Sequence, residues 1–184
     1  MQRRASLVTA TLTVLAAGCS EEGTRSYRIP SSAMEPTLHC ARPAAGCTAD
    51  EMDRVRVRPD STLERGDIIV FMAPRRAVVA CSFPLADDDA VYVKRVIGLP
   101  GETWAAKDGF VYINGRRLKE EYIEKQRRDV ETTSPRKIPA GTYVVLGDFR
   151  SSSCDSRRWG PLAKKNIIGR VVEIIRGDET IELD

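Results

Sequence analysis

Two kinds of side chain in this sequence could do nucleophilic chemistry: hydroxyls in a proline-bounded stretch and a lysine in a strand-like run. The stretch covers residues 29–38, where Pro30 and Pro36 fix their own φ and bias the preceding residues toward extended backbone. Ser31 and Ser32 are therefore predicted to lie in a stiff turn that displays two hydroxyls. A Ser/Pro-rich linker has the same composition, so the stretch alone does not indicate catalysis.

Lys94 is the second group. Strand alternation puts Tyr92, Lys94 and Val96 on one face and Arg95 on the other, so one charged side chain must face the packed side. The alternative is an edge strand with both charges in water. A desolvated lysine could act as a general base if its pKa fell from about 10.4 to about 7–8. A Ser-Lys pair needs no histidine, and we interpret His39, the only one, as a loop residue.

Composition indicates a folded protein with one main core. The chain has 184 residues, of which 42% are hydrophobic and 30% charged. Its net charge of +3 is spread along the sequence, so we expect no nucleic-acid partner. Weak attraction of the basic side chains to an anionic membrane surface is an open alternative. We favour the interpretation that they are solvated on the protein surface.

The first 18 residues are typical of a targeting segment. Arg3 and Arg4 precede an uncharged stretch that is too short to span a bilayer comfortably and ends in L-A-A-G-C at Cys19. The small residues before Cys19 resemble a bacterial lipoprotein cleavage site, which would lipidate that cysteine. An ordinary secretory signal and a poor membrane anchor are the alternatives. All three place the remainder outside the cytoplasm.

The four other cysteines are an even number, which agrees with an oxidising compartment. Cys40 and Cys47 bracket a short Pro/Gly/Ala loop, so we favour a bridge between them, which leaves Cys81 to pair with Cys154. The rival is a zinc site formed by His39, Cys40 and Cys47. It lacks a C-x-x-C pair and a second histidine, so we expect no metal.

The elements that must position these groups are mainly strands. Strand-like runs are predicted at residues 55–58, 67–71, 90–97, 110–113, 143–146, 167–175 and 180–183. Asn114-Gly115 predicts a hairpin. We predict an all-β domain at 27–184, preceded by a signal or anchor at 1–18 and a polar tether at 19–26. Within the domain, the core would comprise residues 27–101 and 140–184. The section between them, about 102–139, is more charged than its flanks and is predicted to form a smaller inserted β lobe.

Four blocks in the same order resemble bacterial type I signal peptidase, the membrane-associated serine protease that removes signal peptides from exported preproteins. They are I-P-S-S-A-M-E-P-T-L at 29–38, R-G-D-I-I-V-F at 65–71, Y-V-K-R-V-I-G-L-P-G-E at 92–102 and G-D-F-R-S-S-S-C-D-S-R at 147–157. The family's first block reads P-S-x-S-M-x-P-T-L, and its last reads G-D-N-R-x-x-S-x-D-S-R. The resemblance implies an all-β core with a smaller inserted β lobe, in agreement with the strand pattern.

The resemblance also implies a role for each matched residue. Lys94 falls on the general base, and Ser31 on the serine whose hydroxyl helps the backbone form the oxyanion hole. Ser153 falls on the hydroxyl that orients the lysine, while Asp155 and Arg157 fall on the charged pair that braces the site. Such a set hydrolyses amides without a cofactor, because the hole stabilises the tetrahedral intermediate and the amine takes the nucleophile's proton.

Two positions depart from the family pattern. Phe149 replaces an asparagine before Arg150, so that turn has lost an amide. Ala33 stands where the nucleophilic serine precedes Met34, and it has no hydroxyl to activate. An engineered replacement and a natural pseudoenzyme both remain open. Relocation of the nucleophile to Ser32 is the least favoured explanation, because a one-residue shift turns the side chain to another face.

Two functions follow from these patterns. The first is a serine endopeptidase of signal peptidase type, acting on extended peptides bound by strand addition. The second is a module that binds such peptides without cutting them. A self-cleaving repressor protease resembles the same Ser-Lys core, but the export signal and the lack of a DNA-binding head argue against it. The expected location is the extracytoplasmic face of the bacterial membrane, reached through the N-terminal segment or a lipid on Cys19.

Overall fold

The computed structural model describes residues 23–59, 62–81 and 90–183. The predicted targeting segment, Cys19 and the first part of the predicted tether lie outside the described residues. Helix α1 spans Arg75–Ala80 and helix α2 spans Ser156–Trp159. Across the described ranges, no helix combines the length and apolar character needed to cross a membrane. The strands are β1 Arg25–Arg28, β2 Arg54–Arg58, β3 Ile68–Met72, β4 Val91–Gly98, β5 Thr103–Lys107, β6 Phe110–Ile113, β7 Arg116–Arg117, β8 Thr133–Lys137, β9 Thr142–Leu146, β10 Leu162–Ala163, β11 Ile167–Arg176 and β12 Glu179–Glu182.

The larger sheet is antiparallel and has both faces covered. Its order is β1-β2-β11-β3-β4-β9-β10, with β12 paired to β11. Strand β3 lies near the centre and is apolar at every position, as expected for a strand packed on two sides. Val70 packs with Met34 on one face, and the Phe71 ring lies 6.1 Å from that of Trp159 on the other.

The smaller sheet forms a lobe inserted between β4 and β9, with the order β7-β6-β5-β8. Trp104 and Val111 on its inner face pack against Ile97 and Val144 of the larger sheet. This shared apolar cluster fixes the lobe on the core, since buried apolar side chains contribute about 1.5–3 kcal/mol each. The predicted fold class, an all-β core with a smaller inserted β lobe, is confirmed.

Every strand-like run predicted from the sequence forms a strand, with each bound shifted by at most one residue. The Asn114-Gly115 hairpin joins β6 to β7, with positive φ angles of 51° and 78°. Strand β1 begins inside the predicted tether because its backbone pairs with β2, where Arg25 lies opposite Val57. Strands β5, β8 and β10 were not predicted. Strand β8 has the sequence T-S-P-R-K and is an exposed edge strand without apolar alternation.

Both predicted disulfides are present. Cys40 is bonded to Cys47 and Cys81 to Cys154, with Cα–Cα distances of 5.1 Å and 5.8 Å. The zinc alternative at His39 is wrong, because both thiols that it required are used in the first bridge. The second bridge joins the end of α1 to the segment that precedes α2.

Candidate active site

The proline-bounded stretch is a tight turn rather than an extended segment. Ser31 has extended backbone (φ −125°, ψ 151°) and is followed by a 3-10 turn over Ser32–Met34. The Glu35 N–H donates to the Ser32 carbonyl at 2.9 Å and closes this turn. Met34 is fully buried in the core and anchors it. Because a 3-10 turn advances by one third of a circle per residue, neighbouring side chains in it still point in different directions.

Gly147 brings the turn into contact with the last sequence block. The Ala33 carbonyl accepts a hydrogen bond from Phe149 N at 3.1 Å. A methyl group at Gly147 would collide with that carbonyl oxygen and with the Ser153 hydroxyl. The absence of a side chain at Gly147 therefore allows the position matched to the nucleophile and the residue matched to the lysine-orienting hydroxyl to approach each other.

Lys94 is buried on β4, opposite Ile69 of β3. Its Nζ donates to the Val93 carbonyl at 2.8 Å and lies 5.9 Å from the centre of the Tyr92 ring. The neighbouring strand residue, Arg95, lies on the other face, where its side chain is 11% exposed and forms a bidentate ion pair with Asp148. The alternation in the sequence therefore correctly predicted that Lys94 and Arg95 lie on opposite faces with one charge buried, but it did not predict that Arg95 is largely enclosed as well.

Burial lowers the pKa of Lys94 to about 8. The carboxylates of Asp155 and Asp148 limit the fall by stabilising the ammonium form, while the Arg157 charge adds to it. At a pKa of about 8 an appreciable fraction of the amine is neutral near pH 7, as a general base requires.

A cavity of about 440 Å³ brings the candidate groups together. Ser31, Ser32, Ala33 and Lys94 all line it. Its other walls are mainly apolar and include Tyr27, Val70, Val91, Val93 and the Cys81–Cys154 disulfide. The site residues Ser153, Asp155 and Arg157 are not in its lining.

The Ser32 hydroxyl lies against the loop closed by the first disulfide. A Cβ atom at Gly46 would lie 2.8 Å from Ser32 Oγ and 3.1 Å from the Phe149 ring. Phe149, the residue that departs from the family pattern, thus fills space beside this loop, and its ring also stacks with the Arg127 guanidinium at 4.5 Å. His39 lies in the same region, where its Nδ1 is 2.9 Å from a Glu35 carboxylate oxygen.

Asp155 and Arg157 form a buried, bidentate ion pair next to Lys94. Asp155 Oδ1 accepts from Arg157 Nε and Oδ2 accepts from Arg157 Nη2, both at 2.8 Å. Oδ2 also accepts from Gly147 N at 3.1 Å. Burial raises the pKa of Asp155 to about 6, against the effect of the Gly147 and Arg157 backbone N–H groups, the Lys94 charge and the nearby Ser153 hydroxyl. The Ser153 hydroxyl is buried without a well-formed hydrogen bond to the described part of the chain.

Two acidic residues that contact arginines of the last sequence block, Glu120 and Asp129, carry no sequence signal of their own. Glu120 pairs with Arg150 at 2.5 Å, and Asp129 contacts Arg157. Both acids belong to the inserted lobe, whose excess of charge was the only sequence indication of such pairing. In the core, Asp148 pairs with Arg95 at 2.6 Å and Asp53 with Arg176 at 2.8 Å.

Known signal peptidases are similar to this chain in sequence. The family model described as signal peptidase, peptidase S26, matches residues 2–175. The chain is 40% identical over 163 residues to signal peptidase I of Leptolyngbya laminosa, covering 86% of this chain and 72% of that protein. It is 37% identical over 164 residues to the probable signal peptidase I-2 of Synechocystis sp., covering 87% and 66%.

A crystal structure of a signal peptidase I from Enterococcus faecalis V583 also matches, with 33% identity and a TM-score of 0.46. The match covers 60% of this chain and 97% of that one. The family assignment rests on the sequence matches, which extend over nearly the whole chain. The chain belongs to the signal peptidase family, peptidase S26, whose members are serine endopeptidases that remove signal peptides from preproteins.

Proposed function

We propose that the cavity between the serine turn and Lys94 is the signal-peptide cleavage site of a serine endopeptidase of signal peptidase type, and that Ala33 leaves this site without its nucleophilic hydroxyl. The observation that carries this proposal is that Ala33 and Lys94 line one cavity. Two further observations support it: the pKa of Lys94 is lowered, as a general base would need, and the position matched to the nucleophile ends in a methyl group. Loss of a nucleophile reduces turnover by about 10⁶ in serine proteases.

A hydroxyl at position 33 would complete an acyl-transfer site. The neutral Lys94 amine would take the hydroxyl proton as the oxygen attacks the scissile carbonyl carbon. The Ser31 hydroxyl and backbone N–H groups of the turn would stabilise the oxyanion. Lys94 would then pass its proton to the leaving amine, and an ester to residue 33 would remain. Water, deprotonated by Lys94, would hydrolyse that ester.

The cavity walls favour an extended apolar peptide as the ligand. Val91 and Val93 alternate with Tyr92 along β4, and Tyr27 comes from β1. A peptide lying along such walls can add main-chain hydrogen bonds to a strand and place every second side chain in the cavity. We propose that residues with small side chains occupy it next to the cut.

We also propose that the domain works at the extracytoplasmic face of the bacterial membrane. The N-terminal segment, or a lipid on Cys19, would hold it there. Mass spectrometry of the mature protein from its host tests this assignment. A lipidated Cys19 at the new N-terminus supports the lipid anchor, whereas an intact residue 1–18 segment supports the peptide anchor.

Preprotein cleavage tests the catalytic proposal. We expect no product from the unaltered chain and clear cleavage by the Ala33→Ser variant, with a rate that rises with pH through about 8 as Lys94 loses its proton. Ser32→Ala should leave the Ala33→Ser activity largely intact. The double variant Ala33→Ser with Lys94→Met is the matched control and should be inactive.

The second candidate function is peptide capture without cleavage, and Ala33 is the observation that favours it. Saturable binding of a signal peptide by the unaltered chain, without product, is its expected signature. Robust cleavage by the unaltered chain that disappears in Ser32→Ala would overturn both assignments and establish Ser32 as a relocated nucleophile.

A further inference from the structure

Arg157 joins the inserted lobe to the centre of the site. Its Nη2 donates to the carbonyl oxygens of Arg150 and Ser153, at 2.7 Å and 3.1 Å. The same nitrogen and Nε hold both oxygens of Asp155. Its third nitrogen, Nη1, contacts the carboxylate of Asp129. Asp129 therefore contacts one end of the Arg157 guanidinium. The other two nitrogens of this group bind the Asp155 carboxylate, which lies next to Lys94, and two backbone carbonyls.

Asp129 is itself held in place by the lobe. Its Oδ1 accepts from Glu131 N at 3.1 Å, and its buried Oδ2 forms the ion pair with Arg157 without a well-formed hydrogen bond to the described residues. Gly109, in the turn between β5 and β6, packs so closely that a methyl group there would collide with the Asp129 carbonyl oxygen. Arg128 stabilises the same turn, because its Nη1 donates a hydrogen bond to the Gly109 carbonyl oxygen at 3.2 Å. These contacts fix the carboxylate on a folded support rather than on a free loop.

We infer that Asp129 is a positioning residue of the inserted lobe, which holds Arg157 so that Asp155 keeps its place beside Lys94 and the Ser153 backbone keeps its place beside Gly147. This inference rests on the proposed function of the site. It gives the lobe a direct part in the reaction, although no lobe residue lines the cavity of the serine turn. It also explains why an arginine with a nearly fully buried side chain carries carboxylates on two sides.

Asp129 also balances charge around Lys94. The Arg157 cation lowers the pKa of Lys94, and the Asp155 and Asp148 carboxylates raise it. Without the Asp129 carboxylate, the Arg157 charge would act on Lys94 with less compensation, so the pKa of Lys94 would fall further. The charged groups that face Arg157 in the described residues are Asp129, Glu131, Asp155, Glu120 and Arg158.

Glu131 offers a matched control on the same arginine. Its carboxylate is 3.8 Å from Arg157 Nη1 and 40% exposed, whereas that of Asp129 is in direct contact and 17% exposed. Asp129→Asn and Glu131→Gln remove the same charge from the same neighbour. Solvent screens the exposed pair, so only the first substitution is expected to affect the site.

The first measurement uses the Ala33→Ser background. There, Asp129→Asn should lower kcat about tenfold while KM stays within about twofold, as expected when a distant change misplaces a reacting group. The pH at which activity rises should shift downward. Glu131→Gln should match the Ala33→Ser parent in kcat and pH profile, and Asp129→Glu should lie between the two. Equal behaviour of Asp129→Asn and Glu131→Gln would overturn the inference.

The second measurement needs no activity and uses the unaltered chain. An NMR titration of the Lys94 ε-carbon resonance should give a lower pKa in Asp129→Asn than in the unaltered chain or in Glu131→Gln. If Ala33→Ser proves inactive, the proposed function fails, and this titration alone decides the role of Asp129. If Asp129→Asn does not fold, Asp129→Ala, which removes the same charge, replaces it, and an unshifted Lys94 pKa in that variant overturns the inference.

Discussion

At the scale of single residues, the burial of Lys94 lowers the stability of the folded chain, because nearby carboxylates compensate its charge only in part. Its pKa is lowered from 10.5 to about 8 in the folded chain. Between these values the unfolded chain binds more protons than the folded one. Stability of the parent should therefore increase as pH rises from about 8 to about 10.5, and the full cost of charging Lys94 is present below pH 8.

Lys94→Met removes this cost. We expect the variant to be more stable than the parent by up to about 3 kcal/mol near pH 7, a difference that shrinks as pH approaches 10. Denaturant titrations at pH 7 and pH 10 measure it, with Lys165→Met on the exposed surface as a control that should show no such trend. A large loss of stability at pH 7 would show instead that Lys94 serves a structural ion pair.

The residues of the site differ in how well the sequence predicts them. Lys94 is predictable, because strand alternation forces one of two adjacent charges inward. The direction of the Ser32 hydroxyl is not predictable, because it depends on contact with Gly46 in a loop closed by a disulfide. Asp129 is equally hidden, since its contact with Arg157 requires the lobe to be folded onto the core.

At the scale of elements, the close approach of the serine turn to the end of β9 depends on Gly147. A methyl group there would meet the Ala33 carbonyl and the Ser153 hydroxyl. We expect Gly147→Ala to cost about 1–3 kcal/mol of stability, as overpacking does. In the Ala33→Ser background it should also abolish most activity, because the turn and Ser153 are both displaced.

Gly98→Ala is the matched control for Gly147→Ala. A methyl group at Gly98 would meet the Ile138 side chain, in the contact between lobe and core. This variant should also lose stability, yet keep its activity per folded molecule. Melting curves and preprotein cleavage, measured on both variants, separate the two effects. Retained activity in Gly147→Ala would contradict the assigned position of the turn.

Elements were predictable where burial produces a regular pattern. Strand β3 is apolar at every position because both faces are covered, and β4 was recognised from its alternation. Strand β8 has no such pattern, because it lies on the edge of the lobe with a proline in it. Helices α1 and α2 contain only six and four residues, too few for a helical period to stand out.

At the scale of the whole molecule, the two disulfides differ in the length of chain that they close. Cys81 and Cys154 are separated by 73 positions, and Cys40 and Cys47 by 7. Loop-closure entropy then predicts that the longer bridge stabilises the fold by about 4 kcal/mol and the shorter one by about 2.5 kcal/mol.

The double substitutions Cys81→Ser/Cys154→Ser and Cys40→Ser/Cys47→Ser test this difference. Chemical denaturation should show the greater loss for the first pair. A greater loss for the second pair would mean that the contacts of the Gly46 loop with Ser32 and Phe149 outweigh loop closure. Either double variant would also report whether its bridge is needed for signal-peptide binding.

The inserted lobe was predictable because its amino-acid composition differs from that of the core on either side of it. The lobe is more charged than the core that flanks it, and part of that charge pairs with core arginines. The partners in those pairs were not predictable, since Glu120 and Arg150 are thirty positions apart and meet only after the lobe has docked.

The order of the site's parts along the chain has a consequence for a protein made from its N-terminus. The serine turn comes first, Lys94 follows, the lobe interrupts, and Ser153, Asp155 and Arg157 come only near the end. A chain that is still being synthesised therefore has no complete site. The domain can bind a peptide there only after almost all of its sequence has emerged, so binding in this cavity must follow synthesis of nearly the whole domain.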